Sequence, residues 1–518
     1  MKNLKFQSVF DIIGPVMIGP SSSHTAGAVR IGKIVNSIFG EIPDSVTFHL
    51  YNSFAKTYRG HGTDKALVAG ILGMDTDNPD IKNSLEIAHQ KGVRIYWDIL
   101  KDSNAPHPNT AKITVEKGDK NMSITGVSIG GGNIEVTELN GFSVSLKMNT
   151  PTLIIVHQDI PGMIAKVTDI LSEHNINIAQ MNVTRERAGE KAIMIIEVDS
   201  RDCHKAVEQI QHIPHLHNVN FFILILFLGK NLLKELVEKA DKDFNGNIAE
   251  LMISTETELS GRSRDEMIHI MKKNLQVMKN SVTDGLTPSK SISGLTGGDA
   301  VKMDAYLKSG KTLSDTTVLT AVRNAIAVNE LNAKMGLVCA TPTAGSAGCL
   351  PAVLTTAIDK LNLSEEEQLE FLFTAGAFGL VIGNNASISG AEGGCQAEVG
   401  SASAMSAAAL VKAAGGSAYQ ASQAVAFVIK NMLGLICDPV AGLVEVPCVK
   451  RNALGSSFAL VAADMALAGI ESQIPVDEVV DAMYQVGSSL PTAFRETAEG
   501  GLAATPTGRR LQAKIFGE

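Results

Sequence analysis

Leu153-Ile-Ile-Val156, Asn175-Ile-Asn-Ile-Ala-Gln-Met-Asn-Val183 and Ala192-Ile-Met-Ile-Ile-Glu-Val198 divide this chain. All three are short apolar-rich runs, and the second and third alternate in polarity as strands do. Gly162 to His174, between the first two, has amphipathic helical spacing. A second helix is expected from Asp202 and a last strand near Val219. The order is β-α-β-β-α-β, the ferredoxin-like pattern. With that unit at 149–225, the segments on either side are separate domains.

Residues 1–148 mix strand-like runs (Val46-Thr-Phe-His-Leu-Tyr51, Lys112-Ile-Thr-Val115) with helical ones (Ala26 to Phe39, Asp64 to Leu72). They read as an α+β domain punctuated by Gly60-His-Gly62 and Gly130-Gly-Gly132. Residues 226–285 are charged and helical, a linker and the helical start of the next domain. Residues 286–518 are rich in Ala and Gly with helical periodicity. Ser364 and Glu367 form a capping box, Ala402 to Ala414 is stopped by Gly415-Gly416, and Pro475 opens a helix to Val486. The expected fold class is multidomain: α+β, then ferredoxin-like βαββαβ, then all-α.

At 518 residues the chain has room for two to four cores. A net charge of −9 argues against nucleic acid as the main partner. The most apolar run, Phe221-Phe-Ile-Leu-Ile-Leu-Phe-Leu228, reads as a buried strand running into a helix. It is too short for a membrane helix, which needs about 20 residues. No secretory signal opens the sequence, and six cysteines do not make a disulfide scaffold. A cytoplasmic protein with reduced or metal-bound thiols is expected, with no membrane partner.

Cys395 lies in Ala-Glu-Gly-Gly-Cys-Gln-Ala-Glu; Cys437 and Cys448 bound Cys-Asp-Pro-Val-Ala-Gly-Leu-Val-Glu-Val-Pro-Cys. Three thiolates from glycine- and proline-rich loops can hold three corners of an iron–sulfur cube and leave the fourth iron open as a Lewis acid. No close Cys-x2-Cys pair of the zinc type occurs. Cys339 and Cys349, in Cys-Ala-Thr-Pro-Thr-Ala-Gly-Ser-Ala-Gly-Cys, are equally available by count, whereas Cys203 reads as structural. Gly19-Pro-Ser-Ser-Ser-His-Thr-Ala-Gly27 places Ser21, Ser22, Ser23, His24 and Thr25 before a helix, a ready anion site. Gly60-His-Gly-Thr-Asp64 presents His61 in the same manner. The polar loops at Thr341 and Thr343, at Gly383-Asn-Asn-Ala-Ser387 with Asn385, and at Leu295-Thr-Gly-Gly-Asp299 could bind a small ligand or be turn chemistry.

Two signals fail on inspection. Asp241-Lys-Asp-Phe-Asn-Gly-Asn247 opens like a calcium loop, but its twelfth position is Met252 where a bidentate Glu is required. Ser289-Lys290 and Gly130-Gly-Gly-Asn133 suggest a pyridoxal phosphate lysine and a phosphate loop, yet they fall in different domains and extend into no fuller motif.

Taken together, the motifs resemble the bacterial iron–sulfur L-serine dehydratase family across nearly the whole chain. Gly19-Pro-Ser-Ser-Ser-His-Thr and Gly60-His-Gly-Thr-Asp are similar to its β part. Ala340-Thr-Pro-Thr-Ala-Gly-Ser-Ala-Gly348, Glu392-Gly-Gly-Cys-Gln396 and the Cys437–Cys448 string are similar to its α part. The resemblance implies a [4Fe–4S] cluster on Cys395, Cys437 and Cys448, with Cys339 and Cys349 as non-ligands. His157-Gln-Asp-Ile-Pro-Gly162 and Ile176-Asn-Ile178 resemble an ACT domain. That implies an amino acid effector near Asp159, Pro161 and Gly162, and favours a homodimer. Many relatives keep the two parts on separate chains; here they look joined, with the seam at 226–250. The terminal Lys514-Ile-Phe-Gly-Glu518 lacks the cluster-capping cysteine of some relatives.

The implied reaction converts L-serine to pyruvate and ammonia. The open iron would assist loss of the hydroxyl, and a neutral base would take the Cα proton. His61 is the candidate base and His24 its rival, with Ser21 to Ser23 and Thr25 holding the substrate carboxylate or amine. The competing expectations are β-elimination from L-cysteine or L-threonine, a non-catalytic amino acid sensor, and electron transfer.

Overall fold

The computed structural model describes residues 5–6, 8–101, 103–105, 107–118, 120–146, 152–185, 189–200, 203–222, 232–260 and 262–517. Its first part opens with β1 (Val16–Ile18) and a π-helical turn (Ser22–Ala26) that runs directly into α1 (Gly27–Phe39). There follow β2 (Ser45–Tyr51), α2 (Asn52–Thr57), α3 (Thr63–Ile71) and α4 (Ser84–Gln90). Strands β3 (Arg94–Leu100), β4 (Thr110–Lys117), β5 (Lys120–Gly130), β6 (Asn133–Leu139) and β7 (Phe142–Leu146) complete a six-stranded sheet in the order β3-β2-β4-β5-β6-β7. It is mixed, since β2 runs parallel to β3 and antiparallel to β4. Val46, Phe48 and Leu50 alternate inward on β2 and share a core with Val29, Val35 and Leu67 of α1 and α3.

The middle part contains β8 (Thr152–Gln158), α5 (Met163–Glu173), β9 (Ile178–Arg185), β10 (Lys191–Val198), α6 (His204–Gln211) and β11 (Leu216–Phe222). Its antiparallel sheet has the order β11-β8-β10-β9. Leu153, Ile155, Met194 and Ile196 pack on α5 and α6 with Met163, Val167 and Leu171. The intervening Ile154, Ile193 and Ile195 join the core of the six-stranded sheet. Both faces are therefore covered, which is why Leu153-Ile-Ile-Val156 reads as unbroken apolar sequence. Cys203 is buried just before α6, among that unit's apolar side chains. The apolar run Phe221–Leu228 continues β11 to Phe222, and its remainder, with residues 226–231, lies outside the described residues.

From α7 (Leu233–Phe244) onward the chain belongs to a helical core, with Leu233, Leu236, Val237 and Ala240 buried in it. The calcium-like stretch is mostly the end of α7, closed by left-handed Asn245. The succession continues through α8 (Ile248–Ser260), α9 (Arg264–Gly285), α10 (Asp299–Lys308) and α11 (Thr316–Ala333). Next come β12 (Leu337–Cys339), α12 (Cys349–Leu361), α13 (Glu365–Asn385) and the short α14 (Gly390–Gly393). Then α15 (Ser401–Ala413), α16 (Ala418–Met432), α17 (Cys448–Leu467), α18 (Val476–Ser489) and α19 (Pro506–Phe516) close the fold. The Ser364/Glu367 capping box is present. Pro475 is the N-cap of α18 rather than its first residue. The all-α expectation needs one correction: β12 is a strand, held there because it pairs antiparallel with β1 of the first part. Among the described residues no helix is long and apolar enough to cross a membrane.

A second bond between first and last parts is apolar. Phe6, Val9, Ile12 and Ile13 lie in the helical core, in a groove along α13. The groove exists because α13 has glycine at the contact points. A Cβ at Gly376 would stand 2.0 Å from Val9, at Gly379 2.5 Å from Ile12, and at Gly383 2.8 Å from Phe6. Asn384 clamps the same arm through Lys5 N–H at 3.0 Å and Phe6 N–H at 2.9 Å.

Candidate active site

The two histidine loops meet. Ser21 accepts a hydrogen bond from His24 N–H at 3.1 Å and caps the π-helical turn. Such turns recur at functional sites because they re-aim side chains out of a regular helix. His24 is fully buried, with Nδ1 3.0 Å from Ser23 Oγ and Nε2 3.0 Å from Ser53 Oγ of α2. Thr25 Oγ1 donates to the His61 carbonyl at 2.8 Å, so the hydroxyl loop sets the position of the second histidine. The two imidazoles cross edge-to-face with centroids 4.4 Å apart. Among the described residues neither nitrogen of His61 has a hydrogen-bond partner, although the ring is fully buried. Burial pulls His61 down to about 3. Burial, then the proximity of His61 and His107, pulls His24 well below the ordinary imidazole value, so both rings are neutral.

The helical part brings the three cysteines to the same place. Cys395 precedes a second π-helical turn (Gln396–Gly400) that leads into α15. Cys437 bridges to Arg495, with its N–H donating to the Phe494 carbonyl at 2.8 Å and its own carbonyl accepting from Glu496 N–H at 2.9 Å. Cys448 is the first residue of α17, where the positive helix end favours a thiolate. Burial pushes the Cys395 thiol up to about 12, with Arg451 opposing and Glu398 reinforcing the shift. Burial raises Cys437 and Cys448 well above the ordinary thiol value; Glu398, Glu496 and the neighbouring cysteines add to the rise, and Arg451 opposes it at Cys448. These are uncharged thiols that a bound metal would have to deprotonate. Cys339 and Cys349 are as deeply buried. Cys339 sits on β12 with only the Ala340 carbonyl at 3.8 Å, while Cys349 lies against Ser403 at 3.7 Å and the Asn452 carbonyl at 3.5 Å.

Two carboxylates complete the chamber, and sequence reasoning missed both. Glu496 Oε1 lies 3.7 Å from His24 Nδ1, and its Oε2 has no partner. Ligating atoms of His24, His61 and Glu496 all fall within 4.8 Å of one another. Glu398 accepts from the Cys437 thiol at 3.9 Å. Burial pushes Glu398 up to about 7, and burial plus Glu398 pushes Glu496 well above the carboxylate range. Glu398 lies in the quoted Cys395 string, three residues on, and could have been noticed. Nothing in the spacing marks Glu496, because a bridge to Cys437 brings it in from 59 positions away.

Of the other expected ligand residues, Thr341 is fully buried with Oγ1 unpartnered, and Thr343 lies beside Glu398. Ser22 is buried in the first π-helical turn. Asn385 donates its amide back along α13 to the Val381 carbonyl at 3.0 Å. The Leu295–Asp299 loop is turn chemistry: Glu330 of α11 accepts from Gly298 N–H at 3.0 Å and Asp299 N–H at 2.8 Å, capping α10. Asp159 accepts from Gly189 N–H at 3.1 Å and Arg185 at 3.3 Å; Pro161 and Gly162 are exposed before α5.

The chamber suits a thiolate-held metal cluster. It has three convergent thiols, a guanidinium near two of them, and buried polar atoms of His61, Glu496 and Thr341 that find no hydrogen-bond partner among the described residues. A Cβ at Gly390 would stand 2.7 Å from Glu398 Oε2 and 3.1 Å from Cys437 Sγ, so glycine there keeps the space open.

Comparison with known proteins agrees part by part. The serine dehydratase beta chain family matches residues 8–138, the ACT domain 152–215 and the serine dehydratase alpha chain family 243–503. A probable L-serine dehydratase alpha chain of Bacillus subtilis is 60% identical over 284 residues, covering 55% of this chain and 94% of that one. The probable beta chain of the same organism is 47% identical over 216 residues, covering 42% and 98%. An L-serine dehydratase of Streptomyces coelicolor is 30% identical over 508 residues, covering 96% and 98%. With beta, ACT and alpha segments in that order on one polypeptide, the chain belongs to the serine dehydratase family of lyases as a single-chain fusion of its two parts.

Proposed function

We propose that this protein converts L-serine to pyruvate and ammonia by β-elimination in the chamber between its first and last parts. The observation that carries the reading is the meeting of an unpartnered, neutral His61 and an unpartnered Glu496 oxygen with three buried cysteines. Cys395, Cys437 and Cys448 would hold a [4Fe–4S] cluster, which supplies an open Lewis-acid iron for the substrate's oxygen atoms.

The chain's own residues do the rest. His61 is the base, because both its nitrogens are free, whereas His24 is engaged by Ser23 and Ser53. A substrate carboxylate entering the chamber favours the protonated imidazole and so raises the basicity that burial suppresses. His24 positions the serine loop against Glu496. The free Glu496 oxygen receives the substrate ammonium, and Thr341 offers a hydroxyl to the carboxylate. Full burial of both histidines keeps bulk water from the carbon acid. An amino acid at the Asp159–Gly162 loop would act through the middle sheet, whose Ile154, Ile193 and Ile195 press on the core that also carries α3, the helix directly after His61. A homodimer through the ACT units and a cytoplasmic setting belong to this reading.

Anaerobic purification, a pyruvate assay on L-serine, and visible spectra with and without substrate on the same sample test it. Turnover that survives complete loss of iron would sink it. Side-by-side assays on L-threonine and L-cysteine set the substrate.

A further inference from the structure

A cavity of about 430 Å³ lies outside the chamber, where three otherwise separate elements meet. Lys56 and Arg59 come from α2 and the turn after it, Lys101 follows β3, and Arg509 comes from α19. Its floor is backbone of Gly60 and Gly442, from the His61 loop and the Cys437–Cys448 loop. These two loops touch: a Cβ on Gly60 would stand 2.6 Å from the Gly442 carbonyl. Lys56 is paired with Glu499 at 2.7 Å. Arg59, Lys101 and Arg509 form no direct ion pair among the described residues: Arg59 lies over the Tyr58 ring and acts on Asp64 only at longer range, and Arg509 donates to Gln512 and the Glu499 carbonyl.

Lys56, Arg59, Lys101 and Arg509 face a single lining carboxylate, Glu499, among the described residues, which leaves an excess of positive charge here in a chain of net charge −9. A concave site that gathers one sign of charge focuses the field on a ligand of the opposite sign. We propose that this cavity binds a small dianion, a phosphate or a dicarboxylate, and so ties α19 to both active-site loops. Zwitterionic L-serine carries no net charge, and none of the chamber's histidines or cysteines lines the cavity. The site is thus distinct from the substrate's and stands independently of the proposed reaction.

The test is calorimetric titration of the full chain with inorganic phosphate and, separately, with succinate, at fixed low ionic strength set by KCl. Saturable binding by either ligand is expected, and the one that binds identifies the source of the charge. Lys101→Gln combined with Arg509→Gln, both at exposed positions, should weaken that binding by about tenfold per cation removed. A control carrying Lys82→Gln and Lys91→Gln, which lie on either side of α4 and do not line the cavity, should bind as the parent does. Saturation by neither ligand, or equal binding by the double variant and the parent, would overturn the proposal.

Discussion

Two buried carboxylates, one within the Cys437–Cys448 loop and one joined to its first residue, are treated in opposite ways. Glu445, inside the loop, accepts from Ser291 Oγ at 2.6 Å, Ser293 Oγ at 2.8 Å and Thr296 Oγ1 at 2.9 Å. Glu496, bridged to the loop's first residue, has an oxygen with no hydrogen-bond partner among the described residues. The cysteines divide the same way. Cys339 sits against a backbone carbonyl, and Cys349 against Ser403 and Asn452 with Cys395 as a thiol neighbour, whereas Cys395, Cys437 and Cys448 face acids, a guanidinium and one another. Burial is common to all of these groups, so burial does not distinguish scaffold from site. What distinguishes them is whether the protein itself satisfies the group.

The contrast is broken most directly at the cysteines. Cys395→Ser should lose iron and acid-labile sulfide together, and pyruvate formation should fall on the order of 10³-fold or more, since a Lewis-acid metal contributes several kcal/mol to the barrier. Cys339→Ala and Cys349→Ala should keep iron; metal loss on Cys349→Ala would merge the two sets. His61→Ala should retain iron and lose turnover by about 10²–10⁴-fold, the range of a general base. Near-full turnover in that variant would remove His61 from the open set.

On the satisfied side, Glu445→Ala should destabilise the chain by about 3 kcal/mol, because two buried hydroxyls and one half-buried hydroxyl lose their acceptor. Denaturant unfolding of the metal-free protein would measure it. Glu256 lies between the two classes: it accepts from Ser8 and Val9, yet burial still pushes it up to about 7 from an ordinary 4.5. Between those values the folded state holds a proton that the unfolded state has released. The Glu256 contribution to stability should therefore fall as pH rises through that window, by about 3 kcal/mol, and level off above it. Glu256→Gln removes that contribution while those of Glu398 and Glu496 remain, so the stability difference between the two proteins should change by that amount across melting curves from pH 4.5 to 8.

Much of this contrast was legible in the sequence, because the side chains that carry it sit in loops with strong local grammar. Ser21 to Thr25, Gly60 to Asp64 and the two cysteine strings each contain glycine, proline or a helix start. The β-α-β-β-α-β order of the middle unit was equally local. What could not be read was pairing at a distance. Glu496 enters through a bridge to Cys437, Glu330 caps a helix from the one that follows it, and β12 is a strand only because β1 lies beside it. The serine loop was legible as a site, but not the fact that Ser23 and Thr25 spend their hydroxyls on His24 and His61. A hydroxyl's partner is set by tertiary geometry rather than by its neighbours in sequence.

The glycine groove of α13 has a consequence for assembly. Phe6 and Asn384 are 378 positions apart, and closing a loop of that length costs about 5 kcal/mol in chain entropy. That cost is nevertheless independent of protein concentration. Bacillus subtilis carries the two matched parts as separate chains, so there a comparable contact would form between molecules and weaken on dilution. In the fused chain the arm and its groove meet at a fixed effective concentration. The union of the two halves of the chamber is thereby a property of each polypeptide, insensitive to how much of it is present.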